Sequence, residues 1–147
     1  MSLQHWASIG WLRPHVPDAA DIKALLQVAD RDLRDCGAGG LSDDWRFGIA
    51  YNAALQLARA ALRTAGYDPA KGDSTHVRAI DSLQFTIALD PTSVTRFHAF
   101  RKKRAAGVYE AAGMISKTDA KEMVSLAREL RKSVEAWVRR TRPDLLR

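Results

Sequence analysis

The chain has 147 residues, 46% apolar and 27% charged, with a net charge of +6. That length suits one domain with a single core, and the composition excludes wholesale disorder. A lone cysteine, Cys36, excludes an intramolecular disulfide or a multi-cysteine zinc site, and no apolar run reaches the length of a membrane span. These totals lead us to expect a soluble cytoplasmic protein.

The charge is unevenly distributed. Residues 96–147 hold 14 basic and 6 acidic side chains, whereas residues 1–95 hold 9 and 11. A basic second half points to a polyanionic partner, nucleic acid before membrane, or else to a solvated helix face.

Residues 1–17 carry Trp6, Trp11, Pro14 and Pro17. The prolines forbid a long helix but leave room for a short one around Gln4 to Leu12, and the tryptophans predict a strap packed on the rest. Asp18 is placed to cap a helix with Asp21 at its third position. Ile22, Leu25, Leu26, Ala29, Leu33 and Cys36 then recur at steps of three and four up to Gly37. Cys36 closes that apolar row and reads as a packed thiol.

Ser42 opens the next helix. Phe47, Tyr51, Ala54, Leu55, Ala58, Leu62 and Ala65 form one stripe, with Trp45, Ile49, Ala53 and Ala60 opposite. A helix apolar on both sides belongs at the centre of a bundle. After a turn at residues 67–73, Ser74 is placed to cap a helix with Val77, Ile80, Leu83 and Ile87 inward and His76 in its first turn. Asp90 and Pro91 start a fifth segment, and Ser116 with Asp119 starts a long last helix running from Ala120 to Val138, with Arg and Lys on its outer face. No strand pattern or repeat is present. The expected architecture is all-α, an up-and-down bundle of about five helices, with residues 1–17 as a strap, 18–142 as the bundle and 143–147 as a tail.

The chemistry concentrates in Val94 to Ala112, VTRFHAFRKKRAAGVYEAA. Helical periodicity puts Val94, Phe97, Ala105, Val108 and Ala112 on an apolar stripe with Arg101 near its middle. A guanidinium set there needs an acceptor, because an unpaired charge in an apolar setting costs several kcal/mol, roughly. Arg101, Lys102, Lys103 and Arg104 therefore form a candidate nucleic-acid-binding row, with Tyr109 as its phenol. The structural alternative pairs Arg101 with an acid of the first helices, such as Asp30 or Asp44.

RKKRAAGVYE resembles the end of the motif helix of HEPN domains, small all-helical modules marked by an arginine followed after four to six residues by a histidine. Arg104 and Tyr109 occupy that frame, with tyrosine in the histidine position and Ala105 where a polar residue, often asparagine, tends to follow the arginine. The run YNAALQLARAALRTAGYDP is similar to the alanine-rich helix that precedes the motif helix in that family. The resemblance implies a HEPN-like bundle in which two copies of the motif helix meet across a homodimer, Arg104 holds a phosphate, and the partners are RNA together with a nucleotidyltransferase or antitoxin of a toxin–antitoxin or phage-defence pair. In active members arginine and histidine cleave RNA without metal, so Arg104 and Tyr109 are the catalytic candidates.

A phenol with a reference pKa near ~10 makes a poor base at neutral pH, which implies a weak or inactive member. On an unbroken helix Arg104 and Tyr109 also stand about 140° apart, whereas Arg101 and Tyr109 share a side. His76 is the nearest candidate for the missing base. No cofactor is implied. The four histidines lack helical ligand spacing, so no local metal site is expected, and neither a phosphate loop nor a nucleophile elbow is present. Three functions stay open: a nucleic-acid-binding domain, a metal-independent RNase, and a protein-interaction bundle.

Overall fold

The computed structural model describes residues 1–109 and 113–147, the side chains of residues 107–109 lying outside the description. It is a mostly helical bundle with a small two-stranded hairpin. In chain order the elements are α1 (Leu3–Ser8), β1 (Leu12–Pro14), α2 (Ala19–Asp35), α3 (Asp43–Thr64), β2 (Tyr67–Pro69), α4 (Thr75–Thr86), α5 (Pro91–Tyr109) and α6 (Lys117–Thr141), followed by a 3-10 turn, Pro143–Leu146. Six α-helices are described where about five were expected, α1 being the addition.

Local chemistry accounts for most boundaries. The Asp21 N–H donates to the Asp18 side chain at 2.9 Å, and the Trp45 N–H to Ser42 Oγ at 3.1 Å. Asp90 accepts from both the N–H and the hydroxyl of Ser93. Ser116 and Asp119 form a reciprocal capping box. Each cap satisfies helix N–H groups that have no partner within the helix. Ser74 is a correction: its side chain makes no capping bond.

Helix α3 runs through the centre and packs against α2, α4, α5 and α6. Its buried face is rich in alanine, including Ala50, Ala53, Ala54, Ala58, Ala60 and Ala61. Small side chains let four neighbours approach one axis, while Phe47, Leu57 and Leu62 supply the bulk. The expectation of apolarity on both sides fails at one point. Trp45, in the first turn of α3, is 69% exposed.

The absence of strands was also mistaken. β1 pairs antiparallel with β2, Leu12 opposite Pro69 and Pro14 opposite Tyr67. Three-residue strands ending in proline carry no readable alternation. The pairing ties the N-terminal segment to the turn after α3. Trp6 is buried against Leu62, edge-on to Phe85 at 5.1 Å, and the Arg78 guanidinium lies 3.5 Å from the centre of the Trp11 ring. At the other end Leu145 is buried in the main core, so packing continues past Pro143.

Candidate nucleic-acid interface

The inward row of α5 differs from the expected stripe. Among the described side chains of α5, Phe97 and Phe100 are the buried ones, standing edge-on to Tyr51 and Phe47 of α3 with ring centres 5.9 and 5.6 Å apart; Ala105 is exposed, and the side chains of Val108 and Ala112 lie outside the described residues. Continuing Phe97 and Phe100 by one helical turn gives Arg104. Arg104, and not Arg101, is thus the guanidinium laid against the bundle. Gly48 of α3 lies opposite; a methyl placed there would lie 3.4 Å from Arg104 Nε, in ordinary contact. Arg104 Nε is buried and has no hydrogen-bond partner among the described residues.

Arg101 is half-buried and aims into a cleft of about 790 Å³ between α3, α4, α5 and the segment after β2. It pairs with neither Asp30 nor Asp44. Asp30 is held by Arg131, and Asp44 accepts from the backbone N–H groups of Gly113 and Ile115. Instead Arg101 Nε donates to His98 Nδ1 at 3.2 Å, and His98 Nε2 meets Asp81 Oδ1 at 2.6 Å. Accepting at Nδ1 leaves the His98 proton on Nε2, directed at Asp81. The imidazole thus stands between Arg101 and Asp81, and no carboxylate contacts the guanidinium directly among the described residues.

The cleft is shared by Arg101, Arg104, Arg59, Tyr51 and His76. Among the described residues Arg59 reaches only Gln56 Oε1, at 3.4 Å, and Gln56 in turn bonds Asn52. Asp68 also lines the cleft, but Arg63 and Arg13 already hold its carboxylate. Tyr51 Oη and His76 Nδ1 lie 3.2 Å apart. Burial pushes the Tyr51 phenol up to about 12, against the opposing pull of Arg101 and Arg104. Burial, then Arg101, Arg104 and Arg59, lower His76 below its ordinary value, which favours the neutral imidazole.

The predicted row therefore divides. Arg101 and Arg104 enter the cleft; Lys102 is exposed, and Lys103 is drawn to Asp119 at 2.8 Å. The Tyr109 side chain lies outside the described residues. Among the described residues no three His, Cys, Asp or Glu side chains converge as metal ligands, and no helix is long and apolar enough to cross a membrane. Sequence reasoning passed over Tyr51, read as core, and Arg59, one charge in an apolar helix. Gly48, a glycine inside a helix otherwise built on alanine, was the readable signal of a close approach. No model of a known protein family matches the chain, and no curated protein sequence does.

Proposed function

We propose that this protein is a HEPN-like helical bundle that binds RNA along the cleft between α3, α4 and α5. The observation that carries the reading is the set of three guanidinium groups, Arg59, Arg101 and Arg104, converging on one cleft with no carboxylate in ion-pair range among the described residues. Guanidinium is permanently charged and suits a phosphodiester, which neutralises it without adding a proton to titrate. The likeness of the α5 motif to the HEPN pattern supports the wider setting: a homodimer acting with a nucleotidyltransferase or antitoxin partner in a toxin–antitoxin or phage-defence pair.

The contact between Tyr51 and His76 favours a second reading, a metal-independent RNase. In the tautomer with Nδ1–H donating to the phenol oxygen, His76 Nε2 presents a lone pair to the cleft. It would take the 2′-hydroxyl proton as that oxygen attacks phosphorus and the 5′-oxygen departs with a proton from water.

The test is binding of single-stranded RNA across a salt series, with products examined in EDTA. We expect affinity to fall steeply with salt, and Arg101→Ala with Arg104→Ala to flatten the logarithmic salt slope by about 1.4, two phosphates at roughly 0.7 each. Cleavage in EDTA that disappears in His76→Gln would support the RNase. Salt-insensitive or absent RNA binding, with a protein captured in its place, would leave an interaction bundle.

A further inference from the structure

A second cavity, of about 440 Å³, opens on the other side of Arg104. Its walls include Trp45, Phe47, Gly48 and Ile115, and Arg104 and Asn52 border both cavities. The volume lies within the roughly 300–1,000 Å³ range of small-ligand sites.

The polar groups around it are largely engaged. Asp44 accepts from Gly113 and Ile115, Asp32 from Arg31 and Asn52, and Lys103 is paired with Asp119. What stays open is a flat indole, 69% exposed, and the Arg104 guanidinium, which borders the cavity and whose Nε has no hydrogen-bond partner among the described residues. An occupant that uses both needs an anionic group joined to a planar apolar body. A simple anion leaves the indole bare, and an apolar peptide leaves the guanidinium unneutralised. A nucleotide supplies both parts.

We propose that this cavity receives one unstacked base of a single-stranded RNA, lying on Trp45, while the adjoining phosphate is held by Arg104. The proposal rests on the RNA-binding reading and adds a substrate class: single strands, because a paired and stacked base cannot turn its face to the indole. Asn52 is a side-chain amide that borders both cavities.

Titration of the full chain, Trp45→Ala and Trp45→Phe with a single-stranded oligoribonucleotide, the same sequence as a duplex, and inorganic polyphosphate tests it. Single-stranded RNA should quench tryptophan emission of the unaltered protein, and Trp45→Phe should remove the quench. Trp45→Ala should lose on the order of tenfold in affinity for the single strand. Trp45→Phe should retain most of it, and polyphosphate should bind all three proteins alike. A side chain this exposed carries little of the core, so equal melting temperatures are expected and separate binding from folding. If Trp45→Ala binds the single strand as the parent does, or loses polyphosphate equally, the base subsite is overturned while RNA binding stands. If the parent binds no RNA, both fall.

Discussion

Arg59 and Arg63 stand one turn apart on α3, and their surroundings could hardly differ more. Arg63 is 16% exposed and bonded to Asp68 and Asp21; Asp68, 4% exposed, also receives Arg13, and Asp21 also receives His15. Arg59, which lines the cleft, has only a long contact to an amide among the described residues, and Arg101, which lines it too, rests on the His98 imidazole. The first cluster closes its own charge balance and fastens the β1 and β2 hairpin to the bundle. The second is left positive. Within one turn of α3 the fold neutralises Arg63 and leaves Arg59 without a carboxylate among the described residues, and the proposed anion binding rests on that contrast.

Breaking the closed cluster should have the largest effect. Asp68→Asn leaves Arg63 buried with one acceptor fewer, at a cost of about 3 kcal/mol in stability, measurable by urea unfolding. RNA affinity should not fall, since none of Arg59, Arg101 and Arg104 is paired with Asp68. The same cluster sets an acid limit. Burial pushes Asp68 up, but its bonds to Arg63 and Arg13 prevail and hold it below the ordinary carboxylate range. Its contribution is therefore complete above the ordinary value and is lost as pH falls through the lowered one.

A smaller change sharpens the contrast from the open side. Gly48 sits inside α3, where alanine is favoured by about 1 kcal/mol. The added methyl would meet Arg104 Nε at 3.4 Å, an ordinary contact. Gly48→Ala should thus stabilise the protein by about 0.5–1 kcal/mol in thermal unfolding, with RNA affinity changed little. If the glycine instead serves only the core, and Arg104 has no role in binding, a bulkier Gly48→Leu will leave RNA affinity intact. If Arg104 binds phosphate, that variant displaces it and weakens RNA.

What the sequence revealed and what it concealed follow the same division between local and assembled features. Caps at Asp18, Ser42, Asp90 and Ser116 are decided within four residues, and four helix starts could be read from them. The basic row of α5 was equally plain. Which of its arginines faces inward was not, because that depends on Phe100 packing on Phe47 and on the gap at Gly48. Tyr51, Arg59 and His76 come from two other helices, and nothing along the chain joins them to Arg104. The hairpin escaped because its strands are short, and Trp45 because a first-turn residue can satisfy an apolar periodicity without being covered.

The smallest effect separates binding from catalysis inside the cleft. His76 is lowered by burial and then by Arg101, Arg104 and Arg59, so protonating it in the free protein is unfavourable. Its stabilising contribution is present above the ordinary histidine value and is lost as pH falls through the lowered one. A phosphate in the cleft offsets the arginines and makes His76 easier to protonate. RNA affinity should accordingly rise as pH drops below about 6.5, by roughly two- to fivefold given the partial solvent screening at the site. His76→Gln should flatten that profile. Under the RNase reading the cleavage rate would move the other way, falling over the same interval as the base loses its lone pair. Parallel profiles of affinity and cleavage would therefore tell whether the imidazole beside Tyr51 is a further cation for the phosphate or the group that takes its neighbour's proton.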